Sequence, residues 1–214
     1  MLLVKTVLLS TAYFAPVRYY SKLLANRPVT LERHENFNRQ TYRNRCTIST
    51  ANGLLDLVVP VLHETKPKIP VTQIRIAYHT PWQKLHSKAI ESAYRRSPFY
   101  EYYMDDLMPF FTERHVYLYD LNLKILRTVC RLANIPLHIT ESDTFAISSE
   151  VYEDRRNDIH PKAGKQSDDP SFSPAPYTQV FQNKSGFLPD LSILDLLFNA
   201  GPDTRIIIER SIIN

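Results

Sequence analysis

The sequence predicts an α/β fold, with a parallel or mixed central sheet at its start and a mostly helical second half. Three observations carry this. Residues 6–11 are a continuous run dominated by apolar side chains, the pattern of a strand buried on both faces. Residues 17–25 read as a short helix with Tyr20, Leu23 and Leu24 inward, and Val29, Thr30 and Leu31 as a second strand. The chain therefore opens strand, turn, helix, strand, a Rossmann-like start. From Pro81 to Leu132, apolar residues recur at intervals of three and four, the helical period. With 214 residues, 43% of them hydrophobic, one domain over 1–214 can bury a real core.

Each element follows in order. Ala12 to Pro16 turns out of the first strand. Residues 33–46 are then almost wholly polar or charged, with Phe37, Tyr42 and Cys46 as the apolar members. They are too polar for a core element and too poor in Gly, Pro and Ser for a plain linker. Strands over 45–49 and 54–60 flank Ala51-Asn52-Gly53, a strong hairpin signal. Residues 74–78 alternate like a further strand. A helix carries Trp82, His86, Ile90 and Tyr94 and breaks at Ser97-Pro98. An aromatic-rich helix over 99–112 is interrupted near Pro109. A third holds Leu118, Leu121, Ile125, Val129 and Leu132 on one face, with Asn134 as its cap. Residues 137–140 form a short strand. The Asp-, Ser- and Pro-rich stretch 153–176 predicts a long loop, mobile or draped over a site. Residues 191–198 form a C-terminal helix, stopped by Asn199-Ala200-Gly201-Pro202.

Composition narrows the function classes. With 4 glycines and neither a GxGxxG nor a GxxxxGK sequence, a glycine-rich phosphate loop is excluded. The net charge of +4 is modest but uneven. Lys5, Arg18, Lys22, Arg27, Arg33, Arg39, Arg43 and Arg45 face only Glu32 and Glu35 in the first 46 residues. That suggests a small anionic ligand more than a nucleic acid. Two cysteines make neither a disulfide framework nor a zinc site, and the histidines show no HxxxH or HxH spacing. The apolar start has Lys5 inside it and Tyr13, Pro16 and Arg18 after it, which is unlike a signal peptide. No run reaches membrane-spanning length, and a cytoplasmic location is expected.

Three groups are candidates for one site. Tyr13, Phe14 and Tyr19 follow the first strand, where ligands of open α/β sheets sit. Arg43, Asn44 and Arg45 lie in the polar stretch, and on a strand the two arginines would share a face and clamp an anion. His34 and Glu35 could move protons there. Trp82 and His86 lie four apart on one helix face. His86 or His34 would be the general base, and one pocket should hold His86 with Arg43, Asn44 or Arg45. Asp195, between two leucines of an apolar helix, needs a partner, and Arg45 or Arg43 could supply it. Cys46 is a possible nucleophile without an assignable partner.

Several of these segments together resemble the WbqC-like family. They are Tyr13-Phe14-Ala15-Pro16 with Tyr19-Tyr20, Tyr42-Arg43-Asn44-Arg45, Leu57 to Val61, Pro81-Trp82 with His86, Ser97-Pro98-Phe99, Asp120-Leu121-Asn122, and Phe187 to Pro202. Thr11-Ala12-Tyr13 and Arg18-Tyr19 stand where that family often has a Gln before Pro-Tyr and a Gly before the second Tyr. The resemblance implies action on sugars or sugar nucleotides in surface-polysaccharide metabolism, by genomic association rather than mechanism. The two functions carried forward are an acyl- or aminoacyl-type transferase on an amino sugar, and a non-catalytic anion-binding or assembly protein. Cofactor, substrate and oligomeric state are not readable.

Overall fold

A computed structural model of the chain describes residues 5–25, 27–62, 68–147 and 151–213. Strand β1 (Thr6–Leu9) is central in a four-stranded, all-parallel sheet. It pairs on one side with β2 (Val29–Leu31), reached through helix α1 (Val17–Leu24). β2 in turn pairs with β5 (Ile139–Glu141). On its other side β1 pairs with β6 (Tyr152–Asp154). Leu8 and Leu9 are essentially inaccessible, as a strand with neighbours on both edges requires.

The antiparallel hairpin is β3 (Arg45–Thr50) and β4 (Gly53–Val58), with Thr50 opposite Gly53. Gly53 has φ +107°, a conformation that strongly favours glycine, which accounts for the turn signal. The expected strand over 74–78 is not a sheet member. Val71–Gln73 is a 3-10 turn, and Arg75 and Ile76 make single bridges to Tyr117 and Val61. Alternation alone is the signature of an extended segment with two environments, and this one lacks a continuous partner.

The helices follow the predicted periods. α2 (Trp82–Tyr94) buries Trp82, His86, Ile90, Ala93 and Tyr94. The aromatic stretch divides into α3 (Tyr100–Leu107) and α4 (Pro109–Thr112), with Pro109 at the first position of α4. α5 (Leu118–Leu132) places its apolar stripe in the core and ends before Asn134, whose φ is +54°. α6 (Gln182–Ser185), α7 (Ile193–Ala200) and α8 (Thr204–Arg210) close the chain. Strands β1–β4 share one apolar core with α1, α2, α5 and α7. α7 is buried along its length from Ile193 to Phe198, with Ser192 accepting from the Leu194 amide as its N-cap.

Gly201 ends α7 at φ +55°, and a Cβ there would meet the Phe99 ring at 2.5 Å. Gly201→Ala combines a strained backbone with overpacking and should cost about 2–4 kcal/mol. Urea denaturation checks this; an unchanged midpoint would mean that the Phe99 ring moves aside freely.

Candidate functional site

The polar residues gather where the parallel strands end. Ser10 and Thr11 follow β1, Glu32 follows β2, Ser142 follows β5, and Arg155 and Arg156 follow β6. This is the sheet edge at which open α/β proteins place ligands. Arg43 crosses it and grips Glu35 with both prongs, Nε to Oε1 at 2.8 Å and Nη2 to Oε2 at 2.6 Å. The Ser10 hydroxyl accepts from Arg43 Nη2 at 2.6 Å and donates to Glu35 at 3.0 Å. Both ionic side chains are nearly inaccessible. The Asn122 side chain, from α5, donates to the Arg43 carbonyl at 2.8 Å, and Tyr19 donates to the Ser10 carbonyl at 2.9 Å.

Glu32 is fully buried. It accepts from the His34 and Ala146 amides and from the Ser142 hydroxyl, which pins the segment after β5 onto the end of β2. Arg156 completes the row, bidentate to Asp154 and with its guanidinium 4.8 Å above the Phe145 ring. The paired Asp154 carboxyl is held below its usual range, first by the Arg156 hydrogen bonds.

Two spaces adjoin this network. The first, between Ser10, Thr11, Tyr19, Tyr42, Arg43 and Arg156, is a pinhole of about 20 Å³, room for about one water. The second is a cleft of about 550 Å³ whose lining includes Arg18, Tyr42, His160, Ser167, Asp168 and Asp190. Tyr42 borders both. The segment 155–174 forms one wall of each, so it does lie over the strand ends.

That segment is packed against the rest of the chain, the draped alternative of the two that its composition predicts. Asp169 forms an ion pair with Lys22 at 2.5 Å with both side chains nearly buried. Phe172 is buried beneath the Arg18 guanidinium, which lies 4.9 Å from its ring centroid. The segment borrows a core from α1 and from the chain end at Ile212 rather than making its own.

The turn after β1 is tightly held. Phe14 adopts φ +39°, uncommon for a bulky residue. The Ser192 hydroxyl donates to the Phe14 carbonyl at 2.8 Å, and the Tyr13 amide donates to the Tyr42 carbonyl at 2.9 Å. Tyr13 and Phe14 are core residues, while Tyr19 reaches the strand-end network.

His86 does not join that network. It is buried in aromatic packing, 5.2 Å from the Trp82 ring, with Nδ1 2.9 Å from the Tyr13 hydroxyl. The Val58 backbone lies close enough to favour the protonated ring. Asn44 arrives nearby by another route, its amide donating to the next carbonyl, Val59, at 3.0 Å. Arg43 turns away to Glu35, and Arg45 pairs with Asp56 on the hairpin at 3.1 Å, so the two arginines do not form one clamp. Exposed His34 holds its Nε2 3.1 Å from the Ser142 carbonyl. Cys46 is buried and its thiol is pushed up by burial, out of the nucleophile's range. Among the described residues, no group of His, Cys, Asp and Glu could hold a metal. No helix there is long and apolar enough to cross a membrane.

Burial lowers His86 to about 4 from an ordinary 6.5, opposed by the nearby Val58 backbone. The folded protein thus resists protonating a group that the unfolded chain protonates below 6.5. The stabilisation is complete above 6.5 and is lost as pH falls from there to about 4, by about 3 kcal/mol at most. Subtracting the stability–pH curve of His86→Gln from that of the parent should isolate this slope. Parallel curves would mean that the ring takes up its proton without penalty.

The sequence profile of the WbqC-like protein family matches residues 11–168. The chain belongs to the WbqC-like protein family. In this WbqC-like protein the matched span runs from the end of β1 to Asp168 in the cleft, and so takes in most of the strand-end network. The segment 187–202 lies beyond the span. A relative, "Uncharacterized protein Rv1507c" of Mycobacterium tuberculosis, is 27% identical over 188 residues, covering 78% of this chain and 81% of the relative. No solved structure matches this WbqC-like protein.

Sequence reading passed over Ser10, Glu32, Ser142 and Arg156, and met His160 only as the centre of the motif-like Asp158-Ile159-His160-Pro161-Lys162. For Ser10 and Glu32 a signal existed: each is the polar residue one step past the end of an apolar strand. Arg156 carried none, because β6 was read as loop.

Proposed function

We propose that this WbqC-like protein is a transferase acting on an amino sugar or sugar nucleotide of surface-polysaccharide metabolism, and that the cleft bordered by Tyr42 takes the sugar. One observation supports this above the others. A corner rich in arginine and hydroxyl groups (Ser10, Arg43, Arg155, Arg156) adjoins a cleft rich in carboxylate, hydroxyl and imidazole groups (Ser167, Asp168, Asp190, His160), with Tyr42 common to both. Sugar hydroxyls and an ammonium are donors that carboxylates accept, while a phosphate or carboxylate suits guanidinium groups. A substrate with both kinds of group would match the two halves. In this reading Tyr19 and Arg43 form the floor, and Tyr13, Asn44, Trp82 and His86 hold the turn and the β4 end behind it. Arg45 braces the hairpin, and Asp195 anchors helix α7. His34 and His86 both stand off the cleft lining, so neither is assigned the base.

A second reading is a non-catalytic small-anion-binding or assembly protein, and one fact favours its assembly half. Arg43, Arg155 and Arg156 already have carboxylate partners and would need to exchange them for an anion. A thermal-shift panel of nucleotide sugars, acyl-coenzyme A and amino acids separates the two. A ligand at a hundred times its dissociation constant adds about 2.7 kcal/mol, an easily read rise in melting temperature. Stabilisation by a donor and an acceptor, with product formed from the pair, supports the transferase. Stabilisation by a sugar nucleotide with no turnover supports the binding protein, and a flat panel overturns both.

A further inference from the structure

The segment Asp158-Ile159-His160-Pro161-Lys162 is built to present one side chain. The Lys162 amide donates to His160 Nδ1 at 3.0 Å. A backbone N–H can only donate, so Nδ1 carries a lone pair and the proton of the neutral ring sits on Nε2. Pro161 lies between donor and acceptor and fixes its own φ. The turn is fastened on both sides. Asp158 accepts from Arg155 at 2.8 Å and from the Ser167 hydroxyl at 3.1 Å, and Lys162 Nζ donates to Gln40 at 2.8 Å. Gln40 itself is held at φ +59°. The Gln166 amide, oriented to satisfy its neighbours, donates to the His160 carbonyl at 3.1 Å and accepts from Arg18 at 2.8 Å. His160 is among the residues lining the 550 Å³ cleft, and Nε2 has no hydrogen-bond partner among the described residues.

We propose that His160 is a ligand-binding residue of this cleft, donating its Nε2–H to an uncharged oxygen of the bound sugar, a hydroxyl or an N-acyl carbonyl. The inference rests on the sugar reading of the cleft given above and deepens it. Three points select the role. The ring cannot serve as a base as it stands, because its lone pair is engaged by Lys162 and its other nitrogen is protonated. Burial, and then the Lys165 ammonium, lower its affinity for a second proton; the Lys162 backbone opposes them, and the net direction is downward, toward the neutral ring. An oxyanion is disfavoured at this point. Arg18 is the one cation lining the cleft among the described residues, and its guanidinium is engaged by Asp190 and Gln166. Asp168 and Asp190 line the same space and would repel an anion.

Two measurements on the whole chain test this. Two-bond 1H–15N spectra at pH 7 should show His160 as the neutral Nε2–H tautomer; the Nδ1–H tautomer or an imidazolium would overturn the proposal. Binding is then measured with UDP-N-acetylglucosamine and with UDP. His160→Leu should weaken the sugar-bearing probe about tenfold and leave UDP unchanged, the effect of losing one buried hydrogen bond. His160→Gln, which keeps an N–H near the same position, should restore affinity to within about threefold. Equal losses for both probes, no loss with Leu, or a Gln variant as poor as Leu would each sink the role of His160 while leaving the sugar site standing. Failure of the unaltered protein to bind either probe would remove the sugar site, and this assignment with it.

Discussion

Arg43→Ala should destabilise the protein by about 3–5 kcal/mol, because it leaves the Glu35 carboxylate buried without its partner. The loss comes less from the attraction forgone than from stranding a charge that is 5% exposed. Ser10 would also lose the guanidinium that donates to its hydroxyl. A control separates the two effects. Glu35→Gln with Arg43→Met removes both charges and should recover a good part of the loss, since an apolar replacement of a buried pair is often near neutral. Urea denaturation reads both. If Arg43→Ala left the midpoint where it was, water would be reaching Glu35, and the strand-end network would be open rather than sealed.

Asp195→Ala should cost about 2–4 kcal/mol. The carboxyl group is 1% exposed inside α7 and accepts from the Tyr177 hydroxyl at 2.8 Å and the Gln179 amide at 3.0 Å. Tyr94 lies beside it, while Oδ1 has no partner in hydrogen-bonding geometry. The expected arginine partner is absent: Arg43 is held by Glu35 and Arg45 by Asp56. Neutral donors satisfy Oδ2 without cancelling the charge, so burial raises the carboxyl group above its ordinary range. Asp195→Asn, which keeps an acceptor and carries no charge, should therefore cost much less than Ala. Equal costs for the two would show that the side chain contributes only volume. Helix α7 is tied to the segment 177–179 and, through Ser192, to the turn at Phe14.

The fold was largely legible and the site only in part, for local physical reasons. Val7, Leu8 and Leu9 announce a doubly covered strand, Asn52-Gly53 a hairpin, and Leu118 to Leu132 a helix, because each pattern is written within a few residues. β6 was hidden because Tyr152, Glu153 and Asp154 carry no apolar alternation; an edge strand of three residues is held by its ladder to β1, not by its side chains. The reverse error at residues 74–78 has the same root, since alternation was present and a partner strand was not. Arg43 was recognisable as important, but its commitment to Glu35 depends on how the intervening turn folds back. His86 was read as sharing a helix face with Trp82, yet the hydroxyl that meets its ring, that of Tyr13, comes from a distant part of the sequence. Phe172 and Asp169 looked like linker because the surface they pack on belongs to α1 and the chain end.

The position of β1 between β2 and β6 also sets an order of assembly. Leu8 pairs with Thr30 one helix away and with Asp154 across most of the chain. During synthesis β1, α1 and β2 can come together early, whereas the other edge of β1 stays open until Tyr152–Asp154 emerges. Closing so long a loop is entropically slow, and parallel pairing of this kind raises contact order. The last strand to dock carries Arg155 and Arg156 directly behind it, so the strand-end network is completed only when the sheet is. A nascent or truncated chain lacking β6 would thus expose an apolar strand edge, prone to pair with other chains, and would have no finished site to protect it.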